Sequence, residues 1–593
     1  MVRFTARNAL FALLGSTVCA AILVAQAQAT ATAGDAAFIV QTSEGKVRGV
    51  PGPGVREFKG IPFAAPPVGE LRFEPPTPVQ PWQGVLEATT IRDACPQARR
   101  FGLTEESNVE DCLHLNVAVP TTARKGARPV LVWFYGGAFV GGSTRLYPID
   151  FLAREGDMVV VSVNYRLGPL GFMAHPAFGA EANGGYALED QRAALRWVQR
   201  NIAAFGGDPG NVTIGGVSAG AASVCMHLIS PERTSGLFQK AIIQSAGCTF
   251  NMRSVDAGLQ TGLAVADVVG CTDPKTALRC LRSKPVKELV DAGTVVADAD
   301  YLAFAPIYGN GTVPRSGAEA LATGQFVRVP ILNGGASHEM RLYVGYEVAA
   351  GGKITLDNYQ NRLRALYGDN VGKVLAAYPA DRYSSVPTAL GTAMSDFMPG
   401  GGLNSCLFLR TAWLASRWVP VYQYEFADDA APPVMNDPGI ELGAVHTSEM
   451  PYQFPGFSNT SALDGPPLAA PQQDLARQMV AYWSSFIHTG RPAGAGLPEW
   501  KPFDPSRQAL KLKPGAVGMF DAQLDSRALD IEDGDDNAST DDNAVIPLAR
   551  ESNHILLCSR RIVFEVGFCD LRLRSWPIRL FYSMPRESQR GAP

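Results

Sequence analysis

NVTIGGVSAGAASV, residues 211–224, decides how the rest of the chain is read. Val212, Thr213 and Ile214 are β-branched and suit a buried strand. Ala219 to Ile229 is rich in alanine and is closed off by Pro231, which predicts a helix. Between strand and helix, Gly216-Val217-Ser218-Ala219-Gly220 is a G-x-S-x-G. A serine on so sharp a strand-to-helix turn has a strained backbone, and its neighbours two positions away must be nearly free of side chain. The turn lifts the Ser218 hydroxyl out of the sheet. It also sets that hydroxyl at a helix N-terminus, where N–H groups and the positive dipole end favour developing negative charge. A chain with 60 glycines can produce such a turn by chance. The reading therefore needs a base, an acid and oxyanion donors from elsewhere.

Upstream, Pro129 to Tyr135 (PVLVWFY) is a continuous apolar run, the pattern of a strand buried on both faces. It stops at Gly136-Gly137-Ala138-Phe139, a loop small enough for backbone N–H groups to approach a reacting atom. Met158 to Tyr165 is predicted as another buried strand. Glu189 to Phe205 reads as a helix with Ala193, Trp197, Val198 and Ile202 roughly on one face. Further strands are predicted at Ala37 to Val50 (two, with a Ser-Glu-Gly turn), Leu113 to Val119, Lys240 to Gln244, Val329 to Leu332 and Val421 to Phe426. Lys59 to Pro76 is Pro-rich and reads as an extended wrap. Gln472 to Thr489 reads as an amphipathic helix with Gly490 at its C-cap. Strands alternating with helices predict a mostly parallel α/β sheet.

The chain has 593 residues, 18% of them charged and 46% hydrophobic, enough for a large core in one catalytic unit. A formal net charge of −4 gives no reason to expect nucleic acid as a partner. No H-E-x-x-H, CxxC pair or P-loop signals a metal or nucleotide, so no metal or other cofactor is expected. Arg3 and Arg7 precede a largely apolar stretch, Ala9 to Val24, with small-x-small sites at Ala25-Gln26-Ala27 and Ala27-Gln28-Ala29. Residues 1–29 thus read as a cleaved signal peptide and place the protein outside the cytoplasm, secreted or periplasmic. No other stretch is long and apolar enough to span a bilayer, and no stable membrane insertion is expected. Ten cysteines in an exported chain permit local bridges. Cys95 with Cys112 and Cys271 with Cys280 are close enough in sequence to close short loops, while Cys225 reads as buried and inert. After Asp521 the character changes. Residues 530–544 are an acidic low-complexity run, and residues 522–593 read as an acidic linker and a divergent Arg-rich tail with at most a strand or two.

Many stretches together resemble type B carboxylesterases, the carboxylesterase/lipase/cholinesterase family of the α/β-hydrolase fold. They are FKGIPFAAPPVGELRF (58–73), EDCLHLNV (110–117), VLVWFYGGAF (130–139), SVNYRLGPLGF (162–172) and EDQRAALRWVQRNIAAFGGDPGNVTIGGVSAGAASV (189–224), followed by weaker matches in GGASHEM (334–340) and GAVHTSEMPYQF (443–454). The resemblance covers roughly Ala37 to Phe520, and the catalytic domain is placed at residues 35–521. It implies an α/β-hydrolase with a central mostly parallel sheet flanked by helices. It further implies Ser218 as nucleophile, His446 as base and Glu339, five residues after Gly334, as the acid. The N–H groups of Gly137, Ala138 and Ala219 are implied as the oxyanion hole, and the Cys95–Cys112 and Cys271–Cys280 pairs as disulfides. Arg72 with Glu110, and Arg166 with Asp190, resemble family salt bridges.

Some positions depart from the family. Val217 stands where a Glu is usual; that acid would help hold a cationic histidine, so His446 is expected to be harder to protonate here. Glu449 matches another acid of the same buried network and is left without that partner. Ala138 replaces a third glycine, and its methyl takes room near the acyl group. His338 stands where the family has an acid and reads as a lining or surface residue, while Met340 replaces a glycine.

The function implied is ester hydrolysis through an acyl-enzyme, with a small-molecule ester as substrate. A catalytically silent binding or adhesion protein is the alternative from another class, with lipase and amidase the alternatives among enzymes. A choline ester needs an aromatic cage, and the 95–112 loop holds Phe101 but no Trp or Tyr. With Arg99, Arg100, Glu105, Glu106 and Glu110, that loop is also too polar for a lipase lid. The acyl group, the alcohol and the oligomeric state are not encoded in any motif.

Overall fold

The computed structural model describes residues 38–100, 105–399, 402–457, 467–504 and 506–522, with the backbone of 554–557 and 564–567. The signal-peptide reading (1–29), Phe101 and the acidic run at 530–544 lie outside the described residues. Eleven strands form one sheet: β1 (Val50–Gly52), β2 (Val55–Pro62), β3 (His114–Pro120), β4 (Arg128–Phe134), β5 (Val159–Val163), β6 (Gly207–Val217), β7 (Lys240–Gln244), β8 (Ile331–Ala336), β9 (Val421–Phe426), β10 (Gln508–Leu512) and β11 (Gly518–Asp521). Their spatial order is β11-β10-β9-β8-β7-β6-β4-β5-β3-β2-β1. From β10 across to β5 every pairing is parallel. The remaining pairings at the two edges are antiparallel. The expected mostly parallel α/β-hydrolase sheet is therefore present.

The reason lies in the side chains. Every residue of β4, β5, β7 and β8 is buried. Strands buried on both faces need helical cover on both, and βαβ crossovers supply it. Helices Ile149–Gly156, Tyr186–Asn201, Ala219–Leu228 and Ala470–Thr489 belong to this cover. The last is tied to the sheet by Trp483, whose Nε1 donates to Gln244 Oε1 at 3.0 Å. Gly490 ends it in the left-handed conformation, φ 79°. A second apolar cluster (Met340, Val344, Leu363, Leu390 and neighbours) joins the helices between β8 and β9.

Three sequence readings need revision. Lys59–Pro62 completes strand β2 rather than wrapping. The hairpin of β10 and β11 was not foreseen. Cys225 is buried but not a lone inert thiol: it is bonded to Cys248, beyond β7, alongside the expected Cys95–Cys112 and Cys271–Cys280 bridges. The Arg72–Glu110 pair (2.8 and 2.6 Å) and the Arg166–Asp190 pair (2.8 and 2.7 Å) form as expected. In the tail, His554–Leu557 and Phe564–Gly567 pair as antiparallel strands.

Candidate active site

Ser218 follows directly on β6 with φ 57° and ψ −125°, outside the regions open to most L-residues. Such a backbone costs of order 1–3 kcal/mol and persists only where its surroundings over-determine it. Here Ser218 N–H donates to Gln244 O at 2.9 Å, and Ser218 O accepts from Ala222 N at 2.9 Å. The flanking glycines have no room for a side chain. A Cβ on Gly216 would lie 2.6 Å from Gly220 C, and one on Gly220 only 2.0 Å from Phe134 O. The half-buried Ser218 therefore stands at the head of helix Ala219–Leu228, braced by the end of β4.

The loop after β4 carries two further left-handed residues, Ala138 (φ 52°) and Phe139 (φ 64°). No described residue accepts the N–H of Gly137, Ala138 or Ala219. The last is free because the first N–H groups of a helix have no intrahelical partner. A Cβ on Gly136 would meet Ser218 Cβ and Val217 O at 2.9 Å, so this loop lies directly against the serine.

Glu339 comes three residues after β8. Its Oε1 accepts from Ala336 N at 2.7 Å and its Oε2 is 2.6 Å from His446 Nδ1. Both side chains are buried. His446 sits on the long loop after β9. The loop is fixed by Ser448 Oγ accepting from Val445 N at 3.0 Å, by Tyr452 OH donating to Asp428 and by Gln472 Nε2 donating to Asp428 Oδ2 at 3.0 Å. Rings seal it to β4 and to the segment that follows, Trp133 against Phe454 at 4.9 Å and Tyr147 against Phe454 at 5.3 Å. Tyr343 packs on the imidazole, 5.7 Å between centroids. The acid–histidine contact is thus closed. Ser218 Oγ makes no hydrogen bond within the described residues, and such contacts commonly close only with substrate in place. All these segments leave the carboxyl ends of β4, β6, β7, β8 and β9, five adjacent parallel strands, where α/β sheets place their ligand sites.

Val217 is fully buried. Glu449 is equally buried; its Oε1 accepts from Ser245 Oγ at 3.1 Å and its Oε2 has no partner. Burial, then the Glu339 carboxylate, push the Glu449 carboxyl up to about 7. Between its ordinary 4.5 and that value the folded protein holds a proton that the unfolded chain has lost. Stability attached to Glu449 therefore falls as pH rises through this window. Glu449→Gln keeps an oxygen for Ser245 and removes the titration. Its stability relative to the parent should rise from pH 5 to pH 8 in denaturant titrations; a constant difference would show that Glu449 does not titrate there. His338 bonds Ser337 Oγ at 3.0 Å and faces Asp429 at 3.6 Å, away from any role as the serine's base. Ser245, Tyr343 and the Cys225–Cys248 bridge escaped sequence reading, since no local motif marks them.

The carboxylesterase family profile matches residues 36–527. The para-nitrobenzyl esterase of Bacillus subtilis (strain 168) is 34% identical over 470 residues, 77% of this chain and 90% of that protein. The fumonisin B1 esterase of Sphingopyxis macrogoltabida is 33% identical over 509 residues, 83% of this chain and 88% of that protein. The solved structure of a thermophilic PNB esterase superposes with a TM-score of 0.68 at 30% identity, covering 81% of this chain and 97% of that one.

Proposed function

This chain belongs to the carboxylesterase family and hydrolyses carboxylic esters, and we propose that it does so with Ser218 as nucleophile, His446 as general base and Glu339 as the orienting acid. The observation that carries the assignment is the buried Glu339 Oε2–His446 Nδ1 contact of 2.6 Å, on loops that leave the same carboxyl edge of the sheet as the strained Ser218 turn. The carboxylate keeps the proton on Nδ1, so Nε2 presents its lone pair to the serine hydroxyl. Ser218 Oγ attacks the ester carbonyl as Nε2 takes its proton. The carbonyl oxygen becomes an anion facing the N–H groups of Gly137, Ala138 and Ala219. One such donor is commonly worth about 10²–10³ in rate. His446 returns the proton to the leaving alcohol. Water, deprotonated in turn by His446, then releases the acid from the acyl-serine.

Small soluble esters are the proposed substrates. The loop closed by Cys95–Cys112 is tied down by polar contacts, Arg100 to Asp298 at 2.5 Å and Ser143 Oγ to Glu105, which do not suit an apolar lipase lid. Three disulfides accord with the proposed export through residues 1–29, and residues 522–593 are proposed as an appendage to the catalytic domain at 35–521. A fluorophosphonate should label the full chain at the peptide holding Ser218 and at no other, and p-nitrophenyl esters of short chains should be turned over faster than emulsified triglyceride. Absence of labelling would favour the silent binding protein; a sharp preference for long emulsified chains would favour a lipase.

A further inference from the structure

The loop after β4 must aim two N–H groups at one point, yet two of its four residues are in left-handed strain. Something outside it must hold it. The Gly137 carbonyl accepts from Val140 N and Gly141 N, both at 3.0 Å. Across a planar trans peptide the N–H points opposite to the C=O. Tying Gly137 O inward thus turns the Ala138 N–H outward. The Gly137 N–H likewise opposes Gly136 O, and Gly142 packs against that oxygen: a Cβ on Gly142 would lie 2.3 Å from it. Gly142, at φ 109°, therefore backs one donor peptide directly and immediately follows the turn that directs the other.

Gly142 is gripped by one side chain. Its N–H donates to Gln97 Oε1 at 2.8 Å, and its carbonyl accepts from Gln97 Nε2 at 2.9 Å. Gly142 needs an acceptor and a donor side by side, so the amide has only one workable orientation. Gln97 is 1% exposed, two residues from the Cys95–Cys112 bridge, and its backbone pairs with Ser107 at 2.9 and 3.0 Å. We propose that Gln97 is a positioning residue for the oxyanion donors, transmitting the rigidity of the disulfide loop to the Gly137 and Ala138 N–H groups. This rests on the Ser218 mechanism above.

The test uses Gln97→Met, which fills the same space without polar atoms, and Gln97→Glu, which keeps the acceptor but sets a lone pair against Gly142 O. Active sites are counted by fluorophosphonate titration of the full chain, so unfolded protein does not enter. A misaligned hole should lower kcat and kcat/KM together by about 10–100-fold, with KM nearly unchanged. An alkyl trifluoromethyl ketone adds the serine oxygen to its carbonyl carbon, the C=O π pair becoming an oxyanion while His446 keeps the serine proton. Its affinity should fall by a similar factor, which loss of stability alone would not produce. Parental kcat per titrated site in both variants, or reduced kcat with undiminished ketone affinity, would overturn the assignment. Ser218→Ala run alongside separates the cases: if it retains turnover, the serine mechanism fails. If it does not, and the Gln97 variants match the parent, only the role of Gln97 fails.

Discussion

Replacing Ser218 with Ala is expected to lower kcat for a p-nitrophenyl ester by on the order of 10⁶-fold. The change removes the attacking atom and little else. Ser218 Oγ has no hydrogen bond to lose within the described residues, and its backbone bonds to Gln244 O and Ala222 N do not involve the side chain. Alanine meets the same steric cost as serine at φ 57°, so the turn is neither relieved nor worsened. Its melting temperature should stay near the parent's. The unpartnered N–H groups and the Glu339–His446 pair survive, so a residual acceleration of about 10³–10⁴ over water is expected from oxyanion binding and a histidine-activated water. A variant that keeps more than one hundredth of parental turnover, prepared from a host lacking other esterases, would remove Ser218 from the mechanism.

What could be read in advance follows how local each cause is. The strand–serine–helix unit was legible because its parts are contiguous: a β-branched run, two glycines and an alanine-rich helix. The central strands were legible because burial on both faces leaves an unbroken apolar run, as in residues 129–135. Strands β10 and β11, at one end of the sheet, carry no such run, since β10 is buried only in part and β11 at no residue, and they were missed. Pairings over long separations are another matter. Nothing near Glu339 says that its partner lies 107 residues away, and that role came from resemblance to a family. Cys225 looked inert because helical burial explains a thiol well; Cys248, left unassigned in a chain whose N-terminus reads as an export signal, was the available signal. Gln97 had no signal, because a side chain bonding a distant backbone needs no partner of any particular type.

Glu339→Gln is expected to cost about 10⁴-fold in kcat with little change in KM. The size comes from hydrogen-bond bookkeeping in a buried site. The carboxylate serves two donors at once, Ala336 N–H at Oε1 and the histidine at Oε2. A glutamine has one acceptor oxygen. If that oxygen stays on Ala336, the amide NH₂ faces His446 Nδ1 and needs a lone pair there. The ring proton then moves to Nε2, the nitrogen that must take the serine proton, and the base is blocked. If the oxygen turns to His446 instead, the NH₂ is forced against the Ala336 N–H, two donors in a dry pocket. The first arrangement is the cheaper, so the geometry survives while the tautomer is wrong. Glu449 cannot take over. Loss of the Glu339 charge eases its ionisation, but its Oε1 is held on Ser245 and the Nδ1 side of His446 is filled by the glutamine amide. Steady-state rates of the glutamine variant between pH 6 and 9 check this. More than a tenth of parental kcat anywhere in that range would mean the histidine does not depend on Glu339 for its tautomer.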